Sequence, residues 1–193
     1  MRTLLSIIQI IILFAGCTKA SFEPINESEY DWYYDSNGDS IILSIRKDRV
    51  AIKTDRSEEV YDYLKKDPEI IDYTIPLVYV VIDPLKTTLN DVLLIPGIED
   101  ACYALEVYRQ ILIPQNKVYV CCKDVSSLEQ MISQAGLDEN VQMIDARPMP
   151  GIYLITISSS MSETLSVTRK LYETGLCVWA EPNFIHLLPP NPH

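Results

Sequence analysis

The pattern that most constrains this chain lies in residues 149–184, MPGIYLITISSSMSETLSVTRKLYETGLCVWAEPNF. Ile152, Leu154 and Thr156 alternate with Tyr153, Ile155 and Ile157, which predicts a strand covered on at least one face. Ser160 and Glu163 have the spacing of a capping box, in which each side chain satisfies a backbone N–H at a helix start. Met161, Leu165, Thr168 and Tyr172 then recur at helical spacing, and Gly175 supplies the left-handed stop. Val178 and Ala180 alternate with Trp179 and Glu181 in a second strand. Pro182 limits pairing toward its end, because proline has no N–H to give. The unit is strand, helix, strand.

Three strings in this region carry a resemblance: Met-Pro-Gly-Ile-Tyr at 149–153, Leu-Tyr-Glu-Thr-Gly-Leu at 171–176 and Ala-Glu-Pro-Asn-Phe at 180–184. They resemble the end of the N-terminal pro-region of Bacteroidota subtilisin-like serine proteases. The likeness is best over Lys117–Ile185 and weaker over Tyr30–Arg109. It implies a ferredoxin-like β-α-β-β-α-β module that assists folding of a protease and blocks its active site. In that family the protease domain follows the corresponding strand. Here the sequence continues for nine residues past Phe184, so the expected action is in trans.

Upstream, Tyr30–Tyr34, a polar turn at Ser36-Asn37-Gly38-Asp39 and Ser40–Ile45 predict a hairpin, with Arg49–Lys53 as a further arm. Ser57 caps a predicted helix through Leu64 that Pro68 ends. Ile70–Thr74 and Val78–Ile82 read as strands, Thr88 opens a short helix through Leu93 or Leu94, and Ala101–Val107 is a strand. Lys117–Cys122 begins a second set, followed by a helix from Ser126 or Ser127 to Gly136 and a strand at Val141–Ala146. Each half thus lists its elements in β-α-β-β-α-β order. The expected fold is α+β, with two tandem ferredoxin-like units over 29–113 and 114–185 and a joint near Pro114.

Met1-Arg2, the apolar run Leu4–Leu13 and Phe14-Ala15-Gly16-Cys17 predict a secretory signal peptide over 1–16. The run is too short to cross a hydrocarbon core of roughly 30 Å. The closing residues resemble a bacterial lipobox, which makes Cys17 the acylated first residue of the mature chain. Residues 17–28 then tether the fold to a membrane, and the expected location is the cell envelope, on the outer membrane.

A net charge of −11 and a pI near 4.6 argue against nucleic acid as a partner, since phosphates repel such a surface. Cys102, Cys121, Cys122 and Cys177 remain after Cys17. Export permits disulfides among them, four cysteines allow three pairings, and buried free thiols are the default. Neither His186 nor His193 has a C-x-x-C or nucleophile setting, so no metal, cofactor or serine-protease chemistry is expected.

The leading expectation is a non-catalytic lipoprotein that binds a subtilisin-like serine protease in trans, as inhibitor or folding assistant. Phe184, His186, Leu187 and Leu188 are the candidate protease-binding residues, entering the substrate cleft as an added strand within a tail at 186–193. Two alternatives stand beside it. One is an orphaned pro-region fragment without a partner. The other is a surface adhesion or glycan-binding lipoprotein with Trp32, Tyr33 and Tyr34 as a stacking platform.

Overall fold

The computed structural model describes residues 29–54, 57–66, 70–73 and 79–187. In chain order these hold β1 Tyr30–Tyr34, β2 Ser40–Lys53, α1 Ser57–Leu64, β3 Ile70–Tyr73, β4 Tyr79–Ile82, α2 Leu89–Leu93, β5 Asp100–Val107, β6 Gln110–Cys122, α3 Leu128–Gln134, β7 Val141–Ala146, β8 Ile152–Ile157, α4 Thr164–Glu173 and β9 Cys177–Leu187. Short 3-10 turns at Val125–Ser127 and Met161–Glu163 lead into α3 and α4. The strands pair antiparallel in one nine-stranded sheet ordered β3-β4-β2-β5-β6-β8-β7, with β1 beside β2 and β9 beside β6.

That single sheet corrects the expectation of two tandem ferredoxin-like units. Among the described residues strand far outweighs helix, and the sheet runs through the expected joint. Pro114 lies inside β6, opposite Phe184 of β9 and at a register shift, a place where the missing proline N–H is tolerated. A two-residue hairpin, Tyr108-Arg109, carries β5 into β6, with Val107 opposite Gln110. Both turn residues have positive φ, 49° and 66°, as a primed turn requires to match strand twist. Asn-Gly is the usual sequence for that turn, so Tyr-Arg gives no sequence signal.

The two arms expected at 40–45 and 49–53 are one 14-residue strand, β2, with a register shift between Arg46 and Val50. Its first part pairs with β1 and its last part with β4, while β5 lines its other edge. The turn from β1 to β2 is held by the Asp35 carboxylate, which accepts from Asn37 and Asp39 N–H at 2.8 and 2.9 Å. Gly38 there has φ 84°, and a Cβ on it would meet the Tyr172 hydroxyl at 2.7 Å.

Four apolar clusters hold the molecule together. In the first half α1 and α2 cover Val50, Ile52, Val80, Ile82 and Ala101. In the second, α3 and α4 cover Val118, Val120, Ile155, Ile157 and Ala180. The other two clusters join the halves. Leu43, Leu105 and Leu112 meet Leu165 of α4, and Ala51 and Cys102 meet Ile113, Met161, Ile185 and Leu187. Asp100 at the start of β5 strengthens this junction by accepting from Ser160 Oγ and Met161 N, both at 2.7 Å. A distant strand therefore caps the turn into α4, beside Ser160, whose Oγ accepts from Ser162 N–H at 3.3 Å.

Candidate protein-docking face

Because strand side chains alternate, the second half has a sheet face opposite α3 and α4. Directly paired residues share a face. Tyr119 pairs with Leu154 and Glu181, Cys121 with Ile152 and Trp179, and Met143 with Thr156. These side chains therefore line one surface of β7, β8, β6 and β9. No described helix lies over it, since α3 and α4 are committed to the opposite face and α1 and α2 to the first half.

The surface is mainly apolar and aromatic. Tyr119, Cys121, Ile152 and Trp179 are half-buried by one another, and Met143 remains 47% exposed. The Arg147 guanidinium stands 5.6 Å from the Tyr119 ring centroid, in cation–π range. The Thr156 hydroxyl is buried with no hydrogen-bond partner among the described residues. Burial, and then the nearby Asp35 carboxylate, push the Glu181 carboxyl above its ordinary range. Beside this face, β7 pairs only with β8 among the described strands and leaves its other edge free.

The residues singled out from sequence are distributed differently. Phe184, His186 and Leu187 belong to β9 and pair with Pro114, Leu112 and Ile111 of β6. The Phe184 ring packs at 5.9 Å from that of Tyr33, and Leu187 packs into the cluster between the halves. His186 is exposed, with Nδ1 2.9 Å from Gln110 Nε2. Leu188, the rest of the tail, the signal segment 1–16, Cys17 and the tether 17–28 lie outside the described residues.

Trp32, Tyr33 and Tyr34 do not form a free platform. Arg169 of α4 sits 4.9 Å from the Trp32 ring and pairs with Asp31 at 2.6 Å, while Tyr172 stacks on Tyr34 at 4.5 Å. All three rings are half-buried and packed against other parts of the chain. A shallow hollow of about 390 Å³ near the β5–β6 hairpin is lined by Ser40, Ile42, Ser44, Glu106 and Tyr108. Its carboxylate, Glu106, is already paired with Arg46.

Among the described residues no three His, Cys, Asp or Glu side chains cluster as metal ligands, and no helix is long and apolar enough to cross a membrane. Sequence reading missed Tyr119 and Arg147. The available signal was the alternation of Tyr119 and Cys121 with Val118, Val120 and Cys122, which marks two faces without saying which a helix covers. Comparisons with family models, curated proteins and solved structures find no match for this chain.

Proposed function

We propose that this chain is a non-catalytic binding protein of the cell envelope, anchored through Cys17, that docks the open face of its second half on a subtilisin-like serine protease. The observation that carries the reading is the helix-free sheet face on which Tyr119, Cys121 and Trp179 are half-buried and Met143 exposed around a buried Leu154. An aromatic and aliphatic centre with Lys117, Asp145, Arg147 and Glu181 around it has the make-up of a protein interface, where buried aromatic anchors supply most of the affinity. The pro-region resemblance spans Lys117–Ile185, the half that bears this face, and it is what selects the partner class.

In this reading the inhibitory segment begins beyond β9. His186 and Leu187 are held in the sheet, so the segment available to a substrate cleft starts at Leu188. In this reading Phe184 and Leu187 anchor the strand from which that segment departs, and the tail adds to the protease as an extended strand. The proline residues at 189, 190 and 192 restrict the backbone there and oppose cleavage.

The test is an inhibition titration of a soluble form lacking residues 1–17 against subtilisin-like proteases, beside a version ending at Leu187. Saturable inhibition that weakens about tenfold or more on truncation supports the reading. Absence of both binding and inhibition overturns it.

A further inference from the structure

We propose that Cys122 and Cys177 form an oxidisable pair and close a cross-strand disulfide between β6 and β9 when the chain folds in the presence of a disulfide oxidant. The pairing follows from register. Cys122 and Cys177 are direct partners across the two strands. Lys123 N–H donates to Leu176 O at 2.9 Å, and Cys122 N–H turns away to Gly151 O at 2.8 Å. The inter-strand bond thus comes from Lys123 to Leu176, whose own N–H donates to Thr174 Oγ1, while the Cys122 backbone faces β8, which makes 122 with 177 a non-hydrogen-bonded pair. Such pairs bring Cα atoms to about 4.5 Å, with their side chains closest together. This is within the range of roughly 4.4–6.8 Å that a disulfide spans.

Both side chains point into the same cluster beneath α3 and α4, where Cys122 is 6% and Cys177 3% exposed. The other thiols are placed elsewhere. Val178 is an extra residue in β9 that puts Cys121 opposite Trp179 on the reverse face, and Cys102 packs between the halves. Of the three complete pairings of these four cysteines only one contains the 122–177 link, and the separation of Cys102 from Cys121 leaves that link as the single one this sheet suits.

The thiols are free in the structure, with Cys177 Sγ 3.7 Å from Leu171 O. Closing the bond takes two thiol–disulfide exchanges. One thiolate attacks a small disulfide such as oxidised glutathione, giving a mixed disulfide and releasing one reduced thiolate. The second cysteine thiolate then attacks its neighbour's sulfur and releases the other. Two cysteine thiols lose two protons and two electrons, and one oxidant disulfide becomes two thiols. Burial pushes the Cys177 thiol up to about 11 and raises Cys122 as well. The folded core thus suppresses the thiolate, so exchange belongs to folding, before α4 closes over the strands.

The full chain is denatured, reduced and refolded in a buffer of reduced and oxidised glutathione. It is then alkylated under denaturing conditions and mapped by mass spectrometry. The expected result is a peptide linked between Cys122 and Cys177, with Cys102 and Cys121 alkylated. Reducing the folded product should lower its melting temperature by about 5 °C or more. Cys177→Ser, refolded identically, should leave Cys122 alkylated. A folded wild-type chain with Cys122 and Cys177 both alkylated overturns the proposal, as does a link from either of them to Cys102 or Cys121.

Discussion

Apart from β1, the two halves of the sheet list their elements in the same order, yet they use their second faces in opposite ways. In the first half, α1 and α2 cover one face while Ala51 and Cys102 on the other are sealed by Ile113, Met161, Ile185 and Leu187. In the second half, α3 and α4 cover one face, and on the other, which no described helix covers, Tyr119 and Trp179 stay half-exposed around a buried Leu154. Small residues mark the closed face, for Ala51 and Ala104 are fully buried where strand and partner approach. Large residues mark the open one. On the proposed reading the first half supports and the second makes the contact.

The sharpest way to break this comparison is to place a charge on each face. Ala51→Asp puts a carboxylate into the sealed junction, and urea unfolding should show a loss of more than about 3 kcal/mol or no folded protein. Tyr119→Asp, at a half-buried place on the other face, should cost about 1 kcal/mol, well below the Ala51 loss. Equal losses at both sites would end the distinction.

The next effect lies at the bridge between halves. Arg169 and Asp31 are 20% and 15% exposed in their side chains, and Arg169 also donates to Trp32 O. Arg169→Ala strands a largely buried carboxylate, so a loss of about 2 kcal/mol is expected. Hydrogen exchange should localise the weakening to β1 and the outer part of β2.

Tyr108 and Arg109 adopt left-handed conformations that cost side-chain-bearing residues about 1 kcal/mol each. The double variant Tyr108→Asn, Arg109→Gly should therefore raise stability by about 1 kcal/mol, read as a higher denaturation midpoint. A drop would mean that the Tyr108 side chain, 94% exposed, holds the hairpin by contacts absent from this account.

The smallest effect concerns pH. Glu181 is raised above the ordinary carboxylate range by burial and then Asp35. A raised folded pKa means that the folded state binds its proton more tightly. The favourable term is fully present below the unfolded pKa of about 4.3 and is lost as pH rises through the folded value. Glu181→Gln should accordingly stabilise the chain slightly at pH 7, with the gain fading as pH falls toward the unfolded pKa of about 4.3. A gain that grows on acidification would reverse the assignment.

The local elements were readable because their signals are local. Thr88 and Asp91 form a reciprocal capping box at α2, with Asp91 N–H donating to Thr88 Oγ1 and Thr88 N–H to Asp91. Gly136 and Gly175 supply the positive φ that ends α3 and α4. What failed was long-range. Pro114 suggested a break, yet the register shift in β6 absorbs it. Asp100 reaches Ser160 across 60 residues of sequence, which no capping pattern reveals. The aromatic run Trp32-Tyr33-Tyr34 announces surface chemistry, but α4 fills it with Arg169 and Tyr172. Alternation revealed that β6 has two faces, and only the packing of α3 and α4 shows which one is open.

The central claim is that this open face is the docking surface, and the most direct measurement compares inhibition constants against one susceptible subtilisin-like protease. Wild type is set against the double variant Tyr119→Ala, Trp179→Ala and against Leu85→Ser, a 94% exposed residue of the first half. The account predicts that the double variant weakens inhibition about thirtyfold or more at unchanged fold, and that Leu85→Ser leaves it unaltered. Equal inhibition by all three proteins would contradict it.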